Sequence, residues 1–291
     1  MVICEDGFIS LAKGAFDDAI SFDGWFTGRC RSTVGPITEA PITEAPFAPL
    51  ESAEQARLDK LLATWEQHSQ ATQTFACDFQ HWHYDVLAAP TGVHAVKETV
   101  RLVYAAPDKA LYRITEQLKP KPRLGAHGTH WIVNGPNLAW VDHESKNVGV
   151  WEFPTSKAAG DIAKNALPLV FQIDAKELQE RFWVREIQPP KENLYLIEAW
   201  PKSNVDQSRW NTIQVALDSD TLVPRALIVY AANFKISQWW SHYEFKNVKR
   251  NLPEQKLPDF EKNFSLESKP GWNVQRESIE AVSPFVRRFF R

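Results

Sequence analysis

Apolar and polar positions along the chain change period more than once. Leu58, Leu61, Leu62 and Trp65 fall at i, i+3, i+4 and i+7, one face of a helix. Ser52 with Gln55 reads as a capping box in front of them, so the pattern predicts a helix from about Ala53 to Ser69. From Thr72 the period is two. Phe75, Cys77 and Phe79 share one parity and Trp82, Tyr84 and Val86 the other, which predicts a bulge or strong twist near His81. Val96–Tyr104 alternates until Pro107, and Leu111–Leu118 resumes. Trp131–Trp140 reads as a hairpin whose Asn134-Gly135 supplies the positive φ of a tight turn, and a strand ending near Phe153 follows the turn His143–Lys146.

Residues 158–182 interrupt this alternation. Asp174 with Glu177 is a second N-cap signature, predicting a helix over Ala175–Phe182 behind the apolar Leu167-Pro-Leu-Val-Phe171. Alternation then returns in Trp183–Gln188, Leu194–Trp200, Trp210–Leu217, Leu222–Ala231 and Trp239–Lys249. The expectation is about eleven strands, six before the helical insert and five after, with one face covered. Such a sheet curls, and the helices are few and short. The fold class is therefore read as mainly β with helices (α+β): one large curved antiparallel sheet forming an incomplete β-barrel, its concave face covered by the helices. The space beneath them would be lined by Trp, Phe, Leu and Val.

The flanks differ. Residues 1–35 have no sustained period and read as a poorly ordered or irregular arm. The repeat PITEAPITEAP places prolines evenly, making 36–49 an extended linker before a domain over 50–275. The tail 276–291 mixes Phe285, Val286, Phe289 and Phe290 with Arg287, Arg288 and Arg291. It reads as a membrane-surface or partner-binding helix, or as a segment docked on the body. A protein partner is expected through the arm or the tail, if through either.

Charge and chemistry remove more classes than they add. Lys and Arg number 33 against 36 Asp and Glu, so no overall basic field recruits nucleic acid. No stretch approaches the roughly 18 apolar residues of a membrane span. Glu5, Asp6, Lys13 and Asp17 leave no visible export signal. Cys77, between Phe75 and Phe79, reads as a small buried hydrophobe, and a Cys4–Cys30 bridge requires an oxidising compartment. Twelve Trp and 17 Phe against one Met favour stiff aromatic surfaces.

Histidines 81 and 83, two apart on a strand, lack a third ligand of suitable spacing and read as solvent-facing or hydrogen-bonded. His127-Gly-Thr-His130 reads as a loop, and Lys119-Pro-Lys-Pro-Arg123 as a solvated loop between strands. There is no G-x-S-x-G, and Asp142, His143 and Glu144 read as a solvated turn. No metal, cofactor or catalysis is expected.

The order of one helix, six strands, helices and five strands resembles the LolA/LolB-like fold of periplasmic lipoprotein carriers. Thr74–Phe79 resembles that family's first strand, and Leu102–Pro107 with Tyr112-Arg-Ile its strand–proline–strand passage. Trp131–Asp142 resembles its hairpin, and Leu167–Phe171 the apolar start of its central helices. The likeness covers about Pro49–Val274. Trp65-Glu, Pro168–Phe171, Asp174-Ala175, Glu198–Lys202 and Pro270-Gly-Trp272 are similar to an uncharacterised planctomycete family associated with this fold. The resemblance implies a periplasmic or cell-envelope protein whose apolar cavity shelters a lipid or lipoprotein acyl chain under lid helices. The carriers' functional arginine, before the proline that follows the second strand, corresponds to Ala106, so no arginine latch is implied.

The expected cavity wall is Phe75, Phe79, Leu102, Tyr104, Trp131, Val133, Trp140, Trp151 and Phe153, with a lid of Leu167, Leu169, Val170 and Phe171. The same aromatic residues would also serve simply to fill the space under the helices, giving a structural or protein-interaction module with no ligand.

Overall fold

The computed structural model describes residues 43–119, 123–124, 129–155, 173–257 and 270–278, all within one compact unit, Pro41–Ile279. The expected arm, the lid residues Leu167, Leu169, Val170 and Phe171, Cys4, Cys30 and most of the tail lie outside them.

Helix α1 spans Ser52–Gln70, and its apolar stripe is buried at Leu58, Leu61, Leu62 and Trp65 as the spacing predicts. The cap sits one residue earlier than expected. Glu51 is the N-cap, and the Glu54 carboxylate accepts its backbone N–H at 2.9 Å, so Glu51/Glu54 replaces Ser52/Gln55. Seven strands follow: β1 (Thr74–Tyr84), β2 (Val96–Ala105), β3 (Lys109–Lys119), β4 (Arg123–Leu124), β5 (Thr129–Asn134), β6 (Asn137–Asp142) and β7 (Asn147–Glu152). Helix α2 (Ala175–Arg181) starts where Asp174 Oδ1 accepts the Glu177 N–H at 2.8 Å. Beyond it lie β8 (Phe182–Ile187), β9 (Leu194–Pro201), α3 (Asn204–Gln207), β10 (Trp210–Asp218), β11 (Pro224–Ala231), α4 (Phe234–Ser237), β12 (Trp240–Arg250) and β13 (Asn273–Ser278).

The strands form one open, mostly antiparallel sheet in the order β13-β7-β6-β5-β3-β2-β1-β12-β11-β10-β9-β8, with β4 on β3. The two end strands do not pair with each other, so the barrel is incomplete. The count exceeds eleven by the two-residue β4 and by β13, which lies parallel to β7. Neither carries an alternating apolar pattern, because β4 is too short and β13 is an exposed edge.

The bulge is also displaced. Pairing of β1 with β12 shifts register between Ala76 and Asp78, at Cys77, while His81 stays in regular register on both sides. Apolar parity changes near His81 because Trp82 and Tyr84 pack on the outer face against His242 and Trp240. In the β5–β6 hairpin the turn residues are Gly135 (φ 60°) and Pro136, and Asn134 pairs with Asn137 inside the strands.

Cross-strand pairing assigns two faces. On the concave face, Phe75, Cys77 and Phe79 of β1 join Val100, Leu102 and Tyr104 of β2, and Ile197, Ile213, Val215, Leu227 and Phe245 of the later strands, in one cluster with the α1 stripe. A second cluster lies on the opposite face. Ala76, Val103, Leu111, Ile132, Ala139 and Val150 form a row across β1–β7, covered by Leu252, Leu257 and Trp272 of the chain after β12. The expectation of a single covered face therefore holds for β8–β12 and fails for β1–β7. Cys77 is a buried free thiol, as expected.

Candidate apolar site on the concave face

The register carries the nine expected wall residues onto one face. Leu102 pairs with Tyr112, Tyr112 with Trp131, and Trp131 with Trp140. Tyr104 connects through Ala110 and Val133 to Leu138, which pairs with Trp151. Phe153, two residues beyond Trp151, has the same parity.

Their burial differs. Phe75, Phe79, Leu102, Tyr104, Val133 and Phe153 are buried, and Phe79 meets Tyr112, Tyr243 and Phe245 at ring separations of 5.6–5.9 Å. These are packing contacts of the core. Trp131, Trp140 and Trp151 are only half-buried. Trp131 and Trp151 lie nearly parallel with centroids 6.2 Å apart. Gly149 sits between the tryptophans: a methyl group there would lie 3.7 Å from the Trp140 ring and 3.8 Å from Trp151. A methyl group would make ordinary contact with both rings, and a larger side chain would press on them. The three indoles together make an aromatic floor on β5–β7.

A polar group interrupts the apolar face where β2, β1 and β12 meet. His81 Nδ1 lies 3.4 Å from Glu98 Oε2, and His81 Nε2 lies 3.2 Å from Ser241 Oγ. His83 Nδ1 lies 3.1 Å from the same hydroxyl. Since the carboxylate only accepts, His81 donates from Nδ1, Ser241 donates to His81 Nε2, and His83 donates to Ser241. Burial, with His81 as neighbour, lowers the His83 pKa to about 4, against the opposing pull of Asp85. The His81 ring stacks on Tyr243 at 4.6 Å, and burial pushes the Tyr243 hydroxyl up to about 12.

Glu98, His81 and Ser241 follow the order of a carboxylate, base and nucleophile. Ser241, however, is wholly buried and its hydroxyl is held between two imidazoles, leaving no place for a carbonyl carbon. The network fixes the wall. Sequence reasoning placed His81 and His83 on one face but missed Glu98 and Ser241, which pair with them across neighbouring strands.

Other sequence candidates fall elsewhere. His130 is buried, with Nε2 donating to the Ile114 carbonyl and Nδ1 3.0 Å from His143 Nε2, so these two histidines tie β5 to the β6–β7 turn. Asp142 closes that turn by accepting the N–H groups of Glu144 and Ser145. Ala106 packs against the concave core. A groove of about 470 Å³ lined by His68, Thr221, Val223, Arg225, Val248 and Arg250 includes none of the nine wall residues.

No protein-family model matches the chain, and no curated protein matches it in sequence. Among solved structures, an uncharacterised conserved protein from Thermus thermophilus is 11% identical over 77% of this chain and 99% of its own, with a TM-score of 0.41. A LolA superfamily protein from Nitrosomonas europaea is 10% identical over 68% of this chain and 96% of that one, at a TM-score of 0.33. The Mycobacterium tuberculosis lipoprotein LppX is 10% identical over 68% and 97%, at 0.39. These likenesses concern the course of the chain alone.

Proposed function

We propose that the protein is a non-catalytic cell-envelope protein that shelters an apolar ligand, a lipid or a lipoprotein acyl chain, against the concave aromatic floor of β5–β7. One observation carries the reading. Trp131, Trp140 and Trp151, with Tyr112 between Leu102 and Trp131, remain half-buried beside the buried Leu102, Tyr104, Val133 and Leu138 of the same face, while the reverse face of the same strands already supplies a core. The apolar Leu167, Leu169, Val170 and Phe171 are the proposed lid. Each methylene removed from water contributes about 0.8 kcal/mol, so a chain laid along three indole faces is held without polar contacts.

A second reading, a filled module that acts through protein contacts, is favoured by α1, which already occupies the concave face over the later strands. Native mass spectrometry of the purified protein, combined with titration of a fluorescent fatty-acid analogue, separates the two. A co-purifying acyl ligand, or saturable analogue binding that Gly149→Leu abolishes by pushing a side chain onto Trp140 and Trp151, supports the carrier. A ligand-free protein that does not bind the analogue supports the filled module.

A further inference from the structure

Among the described residues five large hydrophobic side chains are exposed: Val86 (37%), Leu87 (83%), Val93 (40%), Val205 (55%) and Ile236 (50%). All five lie at one end of the sheet. Antiparallel register puts the close of β1, at Tyr84, beside the start of β12, at Trp240, and Tyr230 of β11 beside both. The β1–β2, β9–β10 and β11–β12 connections therefore emerge together. At the opposite end the β10–β11 turn keeps its two apolar residues, Leu222 and Val223, buried.

Behind the exposed tips stands a row of half-buried aromatics within two residues of a strand end: Trp183, Trp200, Trp210, Tyr230, Trp240 and Tyr84. Tyr84 and Trp240 stack at 3.9 Å, and the Trp239 indole donates to Asp85 at 2.8 Å, tying two of the connections together. Cations lie over two members of this row and over Trp82, two residues inside β1. Lys97 lies 5.8 Å from the Trp82 ring, Lys202 5.9 Å from Trp183 and Arg209 6.0 Å from Trp210. The segments 85–97, 202–209 and 232–239 carry Lys97, Lys202, Arg209 and Lys235 against Asp85 and Asp206. Both acids are engaged, Asp85 by Trp239 and Asp206 by Arg181. These three connections thus carry a net charge of +2 on a chain of net charge −3.

We propose that this end docks on an anionic lipid bilayer surface, with the aliphatic tips in the acyl region, the aromatic row at headgroup depth and the cations facing lipid phosphates. The exposed aliphatic tips are the argument. They stand beyond the strand ends with Lys202, Arg209 and Lys235 in the same connections and half-buried aromatics behind them, the composition of a segment seated in a bilayer interface. Hot spots of protein interfaces instead place Trp and Tyr at the contact centre and use Leu and Val little. The proposal does not depend on the concave site.

Flotation of the full chain with vesicles tests it, using phosphatidylcholine with about one third phosphatidylglycerol against phosphatidylcholine alone. The wild type should float with the anionic vesicles and weaken with salt. Leu87→Asp combined with Ile236→Asp, both at exposed positions, should lower partitioning about tenfold or more with an unchanged circular dichroism spectrum. Asn193→Asp, at the opposite end, should float as the wild type. The proposal is overturned if the wild type floats with neither vesicle, or if the double variant floats undiminished. Loss of flotation in Gly149→Leu would move the lipid contact to the concave wall. A dimer in light scattering that the double variant dissolves would assign the end to a second copy.

Discussion

The two halves of the sheet solve the same packing problem on opposite sides. Over β8–β12 the concave face carries the apolar row and α1 covers it, while the outer face bears groups such as Arg185, Glu198 and Gln214, joined by hydrogen bonds of 2.7 and 2.9 Å. Over β3–β7 the outer face is the packed one, under Leu252, Leu257 and Trp272. The concave face of that half is nevertheless aromatic. A half-sheet that has buried one apolar row within its own chain gains nothing further from leaving three indoles half-exposed on the other. That excess is what the proposed ligand surface rests on.

The strongest way to break the comparison is through α1. Trp65 is 1% exposed and fills the concave face where the helix crosses it. Trp65→Ala should cost about 3–5 kcal/mol, read as a lowered midpoint in urea with an unchanged slope. A cost below about 1 kcal/mol would show that the helix is no plug, and the later half would then resemble the earlier one.

Next in size is the seam between the halves. His83 is held neutral, with a pKa of about 4 against 6.5 for an unperturbed imidazole. Because the unfolded chain takes up the proton first, stability is intact above pH 6.5 and declines as pH falls toward 4. The loss should approach 3 kcal/mol in order of magnitude. Below that window the Asp218 carboxylate, held at about 2 chiefly by the Arg225 guanidinium, becomes the next group to lose its partner. Thermal melts of the wild type between pH 8 and 4 should fall through this window, and those of His83→Gln should fall less. Parallel pH profiles would remove the seam as a titrating element.

How far this was legible depends on the half. In β10 the alternation of Ile213, Val215 and Leu217 with Thr212 and Gln214 marks the strand, although Thr212 and Ala216 on the other face are buried as well. In β2 the run Leu102-Val103-Tyr104-Ala105 is buried on both faces, so period alone could not say that two cores meet there. The nine expected wall residues share one face because parity carries across paired strands. Glu98 and Ser241 were missed, since their link to His81 arises only when β2 and β12 flank β1, a pairing of residues 17 and 160 positions apart. The α1 cap was misplaced by one residue because Glu51 satisfies the first turn as Ser52 would have. Edge strand β13 had no apolar signal to read.

The smallest effect on stability sharpens the comparison most. Trp140 is half-buried, its ring 3.7 Å from where a methyl group on Gly149 would stand. Trp140→Ala should cost about 1 kcal/mol or less, a small fraction of the Trp65→Ala cost, although the same ring is deleted. If the floor serves a ligand, the same substitution should weaken binding of a fluorescent acyl analogue by about tenfold, the equivalent of roughly two methylenes returned to water. Equal destabilisation by the two tryptophan deletions would mean that the concave face of β5–β7 is core like the rest. A small cost with unchanged analogue binding would leave its aromatic excess without a ligand. Only the pairing of a near-neutral stability change with a lost ligand fits a surface that the fold itself does not need.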